Sequence, residues 1–161
     1  METADIPRAA EIHVFGWRCA YRGIIMDEVL FKDRTVAKSM ERFAEYINNP
    51  ASEDYVYDDG LIKAFMTIGA CRDEDKPNSF ELWGIYVEPL MKGLGIGSKM
   101  VAFCEKRARE RGYNEITLWV LEKNEESRKF YEKMGFAPDG KKNPKDPWEI
   151  RYVKKLCKQK P

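Results

Sequence analysis

The sequence predicts an α/β fold in which a mixed, mainly antiparallel β-sheet is flanked by helices. Near the amino terminus, apolar residues recur at helical spacing, and the pattern then changes to the alternation that is typical of strands. In the second half, strand-like and helix-like segments alternate, which indicates a strand–helix–strand crossover. These two observations predict a sheet that is antiparallel in its first half and contains a parallel connection in its second.

The first two elements are predicted to be helices. The first runs from Asp5, a candidate N-cap, to about Tyr21, and Pro7 lies in its first turn, where proline is tolerated. The second follows Thr35 and ends before Pro50, a residue that breaks helices. No strand is predicted before the first helix, because too few residues precede it.

The remaining elements begin with a β-hairpin, whose tight turn is predicted at residues 58–60 from the sequence Asp-Asp-Gly. A polar loop separates the hairpin from the next apolar strand. The elements predicted after that loop are a strand at Phe80–Val87, a helix at about Ile96–Arg111, a strand at Glu115–Leu121, a helix at Glu125–Met134, a strand near Phe136 and a strand from about Trp148 to Leu156.

The size and charge of the chain limit its architecture and partners. A chain of 161 residues, 43% of them hydrophobic, predicts a single domain spanning residues 1–161. The 28 basic residues are nearly balanced by 27 acidic ones, which leaves a formal net charge of +1. This balance argues against nucleic acid or an anionic membrane as a partner.

The cysteines and the single histidine predict neither a metal site nor a redox motif. The four cysteines at positions 19, 71, 104 and 157 are far apart in sequence, and His13 is the only imidazole. The opening residues do not form the pattern of a signal peptide, and no apolar stretch approaches membrane length. We therefore expect a cytoplasmic protein.

A glycine-rich turn joins the strand that begins at Phe80 to the following helix. Gly93, Gly95 and Gly97 alternate there, so that backbone N–H groups can approach an anion at a helix N-terminus. A dinucleotide-binding loop needs another glycine where Ser98 stands, and a P-loop needs a different order of residues after Gly97. A flexible turn without a ligand remains the alternative.

Two segments resemble the GNAT N-acetyltransferase superfamily. Residues 87–97, which read Val-x-Pro and then Lys-Gly-x-Gly-Ile-Gly, are similar to its pyrophosphate-binding motif, although Lys92 replaces the usual arginine or glutamine. Residues 124–136, NEESRKFYEKMGF, are similar to its second coenzyme A motif. The resemblance covers nearly the whole chain. Besides Lys92, this sequence differs from the family pattern in the first strand, for which too few residues precede the predicted first helix.

The resemblance implies an enzyme that uses acetyl-CoA. It would transfer the acetyl group to a primary amine of a small molecule or peptide by direct attack in a ternary complex, without a metal. Many relatives form dimers, so a homodimer is possible. A non-catalytic acyl-CoA-binding module and a nucleotide enzyme such as a kinase remain as alternatives.

The resemblance also implies a set of residues that bind the cofactor. The end of the strand would pair with the pantetheine arm, the glycine-rich turn would surround the pyrophosphate, and the second motif would contribute the rest. The set is Ile85, Tyr86, Val87, Lys92, Gly93, Leu94, Gly95, Ile96, Gly97, Ser98, Asn124, Ser127 and Tyr131.

Five residues are candidates for the chemistry and for acceptor binding. By resemblance, Tyr131 would protonate the leaving thiolate and Glu81 would act as general base; the alternatives are a core tyrosine and a solvated glutamate. His13, Trp17 and Tyr21 lie four residues apart and therefore share one helical face, where they would line the acceptor pocket. Core packing is the alternative for this set.

Overall fold

The computed structural model of the chain describes residues 1–144 and 147–157. Its helices and strands follow the predicted order closely. The helices are α1 (Ile6–Tyr21), α2 (Val36–Tyr46), α3 (Ile96–Glu110) and α4 (Glu125–Lys133). The strands are β1 (Ser52–Asp58), β2 (Ile62–Ala70), β3 (Phe80–Val87), β4 (Glu115–Leu121), β5 (Ala137–Asn143) and β6 (Glu149–Lys155).

The strands form one six-stranded sheet in the order β1-β2-β3-β4-β6-β5. β3 and β4 are parallel, with Phe80 opposite Ile116, and the connection between them contains α3. β6 is antiparallel to both β4 and β5. The sheet is therefore mixed, and the predicted fold class is confirmed.

Contacts between residues divide the chain into two compact units. The first consists of Met1–Thr67 and Ile85–Met100, and the second of Ile68–Gly84 and Val101–Pro161. The assignment of residues 1–161 to a single domain stays a prediction.

The core of the first unit forms around the apolar face of α1. Ala9 and Ile12 are fully buried with Phe65 of β2, and Phe43 and Tyr86 pack around them. The burial of these side chains stabilises the packing of α1, since apolar surface contributes about 25 cal/mol per Å² removed from water.

Tyr86 lies close to α1 because α1 has a glycine at the point of contact. A Cβ atom on Gly16 would stand 3.2 Å from Cδ1 of the Tyr86 ring, closer than most Cβ atoms approach other atoms. Gly16 is therefore needed for this packing, although glycine in a helix interior costs stability relative to alanine.

The amino-terminal end of the chain meets the edge of the sheet. Within the described residues no strand precedes α1, as expected from the few residues before it. The Met1 ammonium group instead donates a hydrogen bond of 2.7 Å to the carbonyl oxygen of Asp54, which lies in β1 at one end of the strand order.

The core of the second unit lies on β3, β4 and β6. Phe80, Ile116, Leu118 and Tyr152 are almost fully buried. Beside them, the buried guanidinium group of Arg151 forms ion pairs with three aspartates, Asp73, Asp75 and Asp139, at 2.8–3.0 Å. None of the helices in residues 1–144 and 147–157 has both the length and the apolar character needed to cross a bilayer.

Candidate functional site

The predicted glycine-rich turn connects β3 to α3 in the first unit. A short 3₁₀ turn, Pro89–Met91, follows β3, and α3 begins at Ile96. Gly93 and Gly95 have φ angles of +81° and +77°, a region that side chains other than glycine rarely adopt. A Cβ atom at either glycine would meet nothing within 4 Å. The open space beside both glycines is the kind of place where a ligand approaches a backbone.

The first turn of α3 directs backbone N–H groups toward this loop. The Lys99 N–H donates to the Gly95 carbonyl at 3.1 Å, which makes it the first N–H of the helical pattern. The N–H groups of Ile96, Gly97 and Ser98 come before it and have no carbonyl acceptor within the helix. Together with the helix dipole, they provide a binding position for an anion.

Two cations lie beside the ends of this loop. At its start, Arg8 forms an ion pair of 2.8 Å with Glu88, whose N–H donates to the Lys63 carbonyl at 2.8 Å. At its end, the Lys99 ammonium group donates to the Tyr57 hydroxyl at 3.1 Å. Lys99 was not among the predicted residues. The sequence does contain a signal for Lys99, because it is a basic residue in the first turn of a predicted helix. A cation is unfavourable at that position unless an anion is bound nearby.

The structure brings the three predicted acceptor residues of α1 to Tyr86, which was predicted to bind the cofactor. The Trp17 indole N–H donates to the Tyr86 hydroxyl at 2.9 Å, and Tyr21 also hydrogen-bonds that hydroxyl. The ring centroids of Trp17 and Tyr21 are 4.8 Å apart, and those of His13 and Tyr86 are 4.9 Å apart. Burial raises the pKa of Tyr86, so its hydroxyl group is neutral at physiological pH.

His13 is the most buried of these residues, with 3% of its surface exposed. Its Nδ1 atom lies 3.3 Å from the Ser39 hydroxyl, and its ring contacts the rings of Phe43 and Phe65, which also contact each other. Burial, together with the positive charges of Arg42 and Arg34, lowers the pKa of His13 to about 3. The imidazole is therefore neutral, and its surroundings favour core packing over contact with an acceptor.

Two arginines near this aromatic cluster were not predicted. The Arg34 guanidinium carbon lies 4.0 Å from the centroid of the Trp17 ring, in stacking geometry. Arg42 is exposed on α2, close enough to affect the pKa values of His13 and Arg34. Neither arginine belongs to a motif, so only their position after folding indicates that they are of interest.

In the second unit, the predicted base Glu81 is buried and forms an ion pair. Only 1% of its surface is exposed. Its carboxylate accepts hydrogen bonds from the Arg72 backbone N–H at 2.9 Å, from Arg72 Nε at 3.1 Å and from Arg72 Nη2 at 2.5 Å. The Arg72 guanidinium also stacks on Trp83 at 4.3 Å. These contacts favour a structural role for Glu81, because three donors already occupy its oxygen atoms.

The residues of the second predicted motif lie at the start and in the middle of α4. Asn124 is buried and caps the helix, since its Oδ1 atom accepts from the Ser127 N–H at 3.2 Å. Tyr131 is half-buried, and its ring lies 5.3 Å from that of Phe130 and 6.0 Å from that of Phe136. The role of Tyr131 as the acid stays a prediction.

Two of the cysteine thiols are poorly suited to act as nucleophiles. Burial raises the pKa of Cys104 to about 12, so the thiolate form is rare at neutral pH. Burial also raises the pKa of Cys71, whose sulfur atom lies 3.2 Å from the Thr117 hydroxyl. Neither thiol has the low pKa that marks a reactive cysteine.

A cavity of about 370 Å³ in the second unit is lined by none of the predicted residues. Glu115 on its wall accepts hydrogen bonds from Lys76 at 2.8 Å and from the Ser79 hydroxyl at 2.7 Å. Because these polar groups already satisfy one another, the cavity is a weaker candidate than the glycine-rich loop.

Comparison with known proteins agrees with this geometry. The profile of the Acetyltransferase (GNAT) family matches residues 24–136. The uncharacterized N-acetyltransferase YuaI of Bacillus subtilis (strain 168) is 26% identical over 127 residues, which cover 74% of this chain and 68% of YuaI.

Solved structures of low sequence identity share the fold. The PaiA N-acetyltransferase from Thermoplasma acidophilum, solved in complex with coenzyme A, is similar with a TM-score of 0.76 and 19% identity, covering 97% of this chain and 96% of that one. YncA from Salmonella typhimurium, solved with its cofactor acetyl-CoA, gives a TM-score of 0.66 and 17% identity, covering 100% of this chain and 94% of that one. With its motifs, its fold and a family match over most of its length, this chain belongs to the Acetyltransferase (GNAT) family.

Proposed function

We propose that this protein is an acetyl-CoA-dependent N-acetyltransferase that acts on a primary amine by direct transfer in a ternary complex. The observation that carries the proposal is the loop in which two left-handed glycines, Gly93 and Gly95, precede the N-terminus of α3. Family membership and the cofactors bound to the Thermoplasma and Salmonella proteins support it. A primary amine as acceptor, a cytoplasmic location and a homodimer stay predictions.

The residues proposed to hold the cofactor are those predicted from the sequence. The loop from Lys92 to Ser98 would bind the diphosphate through its N–H groups, and the backbone of Ile85, Tyr86 and Val87 would pair with the pantetheine arm. Asn124 and Ser127 come from the second motif. The space beside Gly93 and Gly95 fits this use, because a Cβ atom there would occupy the approach to the backbone.

Acetyl-CoA would supply a thioester as the acetyl donor. The neutral amine nitrogen forms a bond to the acetyl carbon while the carbon–sulfur bond breaks, and the amine loses one proton as the sulfur gains one. Tyr131 is proposed to donate the proton to sulfur, because a tyrosine hydroxyl group is a suitable general acid for a leaving thiolate. Its hydroxyl group then recovers a proton from solvent.

The proton that the amine loses also needs an acceptor. Glu81 was predicted for this role, and it stays a prediction. The three hydrogen bonds from Arg72 favour a different assignment, in which Glu81 holds Arg72 in place and the proton passes to water.

A pair of glycine variants tests the proposed cofactor site. Gly95 and Gly112 have φ angles of +77° and +82°, and a Cβ atom at either would meet nothing within 4 Å. Gly95→Ala and Gly112→Ala should therefore cost similar stability, about 1 kcal/mol or more. Only Gly95→Ala should also lose, by at least 10-fold, the binding of coenzyme A, measured by calorimetry and by thermal stabilisation.

The same measurements separate the alternatives. Release of the thiol of coenzyme A in the presence of an amine panel is expected from the wild type. Binding of acetyl-CoA without any turnover would favour an acyl-CoA-binding module instead. Stabilisation by ATP and not by coenzyme A would favour a nucleotide enzyme and contradict the proposal.

A further inference from the structure

Among the residues that the structure describes, Arg34 and Arg42 of the first unit, like Arg18 and Arg22, have no carboxylate partner. Within residues 1–144 and 147–157, neither Arg34 nor Arg42 forms an ion pair with a carboxylate, although many other basic side chains do. Arg34 is half-buried, where an unpaired charge is unfavourable. Asp33 attracts Arg34 through space, but it makes no contact that would count as an ion pair.

The position of Arg34 is fixed by its neighbours. Arg18 on α1 donates to the carbonyl oxygens of Leu30 at 3.3 Å and Arg34 at 3.4 Å, and so holds the segment that leads to α2. The Arg34 guanidinium stacks on Trp17 at 4.0 Å. Stacking engages one face of the guanidinium and leaves its N–H donors at the edges for another ligand.

Two positive charges, those of Arg34 and Arg42, act at the aromatic cluster, and Asp33 contributes one negative charge near Arg34. Arg34 and Arg42 both lower the pKa of His13, and burial followed by the charge of Arg42 lowers the pKa of Arg34. The two guanidinium groups therefore repel each other at a place lined by neutral rings, those of Trp17, Tyr21 and Tyr86. A bound anion would relieve this repulsion.

We propose that Arg34 and Arg42 bind the carboxylate of the acceptor, so that the acceptor is an amine that also carries a carboxylate, as amino acids do. The inference rests on the proposed acetyl transfer and narrows its substrate class. Arg34 would bind the carboxylate through its planar pair of N–H donors, and Arg42 would add a second charge. The rings of Trp17 and Tyr21 would contact apolar parts of the acceptor.

This arrangement disfavours acceptors of the opposite charge. A polyamine would bring two or more ammonium groups to a surface that already holds two guanidinium groups without partners, and like charges repel. The inference therefore favours amino acids over polyamines as acceptors, whereas the glycine-rich loop favours neither class.

The test compares matched amines. L-Phenylalanine, L-phenylalanine amide and 2-phenylethylamine share the ring and the amine but differ in the carboxylate, and further amino acids are compared with their amides in the same way; spermidine represents the polyamines. Binding to the protein with coenzyme A present is measured by calorimetry, and acetylation by thiol release. We expect the carboxylate-bearing member of a pair to bind at least 10-fold more tightly, with spermidine weakest.

Variants of Arg34 and Arg42 test whether these arginines cause the preference for acceptors with a carboxylate. Arg34→Gln should weaken binding of the amino acid about 10- to 100-fold, because hydrogen bonds between charged groups are strong, and should change binding of the amide less than 2-fold. Arg34→Lys keeps the charge and should restore part of the affinity. Arg42→Gln should give a smaller loss. Lys38→Gln removes a positive charge from the same helix as Arg42 and should change nothing.

Different results would contradict the inference about the acceptor and the proposed function. Equal binding of amino acids and their amides, or tighter binding of spermidine, would overturn the inference. Equal losses for acid and amide in Arg34→Gln would also overturn it, since they would indicate a general structural effect. Failure to bind coenzyme A would contradict the proposed function instead, and the calorimetry detects that separately. Arg42→Gln at an exposed position keeps the test usable should Arg34 variants fold poorly.

Discussion

The proposed chemistry depends most on Tyr131, through its hydroxyl group. If it protonates the leaving thiolate, Tyr131→Phe should lower kcat about 100-fold while the affinity for coenzyme A changes little, because only the proton donor is lost. Steady-state kinetics and calorimetry measure the two quantities. Tyr46→Phe, at an exposed tyrosine of α2, is the control. Unchanged turnover in Tyr131→Phe would remove Tyr131 from the acid role.

The pair formed by Glu81 and Arg72 is unequally buried, which predicts unequal effects of substitution. The Glu81 side chain is 1% exposed and that of Arg72 is 55% exposed. Arg72→Gln leaves a buried carboxylate without its cation and should cost about 3 kcal/mol, whereas Glu81→Gln frees a guanidinium that water can reach and should cost about 1 kcal/mol. Urea unfolding curves measure both free energies.

The pH dependence of turnover decides between the two roles of Glu81. A structural role predicts that Glu81→Gln keeps the wild-type pH profile. A loss of rate that higher pH relieves would instead restore Glu81 as the general base, because a more alkaline solution deprotonates the amine without it.

At the scale of elements, the N-terminus of α4 combines a structural and a proposed functional role. Asn124→Ala removes the cap on the Ser127 N–H and should destabilise the protein by about 1 kcal/mol. Thr35→Ala removes the comparable cap of α2, where Thr35 accepts from the Lys38 N–H at 3.3 Å. Both variants should lower the unfolding free energy, but only Asn124→Ala should weaken coenzyme A binding. Wild-type affinity in Asn124→Ala would limit Asn124 to capping.

Most elements could be predicted because their signals are local. β3 and β4 have the predicted bounds, since each is a mainly apolar segment with polar residues on both sides. β5 was predicted only as a strand near Phe136, but it extends over Ala137–Asn143. Pro138 and Gly140 are residues that rarely occur inside strands, so the sequence pattern does not indicate β5. The strand accepts them because it is the last in the sheet order and its register shifts between Pro138 and Lys142.

For the whole molecule, the ion pairs of Arg151 predict sensitivity to acid. The hydrogen bond from Arg151 lowers the pKa of Asp75 to about 2, and the same cation lowers the pKa of Asp139 although burial opposes it. Because both carboxylates hold protons less readily when folded, their stabilisation is present above about pH 4 and is lost as the pH falls toward 2. Urea unfolding at a series of pH values should show this decline.

A pair of substitutions assigns the decline to this cluster. Asp139→Asn should make the unfolding free energy depend less on pH between pH 4 and 2, because the variant lacks one of the carboxylates that must be protonated. Asp27→Asn, at an exposed aspartate, should leave the slope unchanged. An unchanged slope in Asp139→Asn would contradict the assignment.

Only part of the candidate site could be predicted from the sequence. The glycines of the loop were found because their spacing reflects backbone angles that other residues avoid. Arg34 and Arg42 were missed because their importance depends on α1, α2 and the segment between them meeting after folding. For His13, the sequence showed a shared helical face, but the burial that makes it neutral depends on Ser39, Phe43 and Phe65, which are distant in sequence.

The left-handed angles of Gly93 and Gly95 also restrict how this gene can change. A single-base change in a glycine codon yields alanine, valine, serine, cysteine, arginine, tryptophan, aspartate or glutamate. Of these, aspartate is the one that adopts positive φ with some ease, and it would place a negative charge in a loop proposed to hold a diphosphate. Every amino-acid replacement that a single-base change introduces at these two positions would therefore strain the chain or repel the proposed cofactor, so selection should keep both positions nearly free of variation.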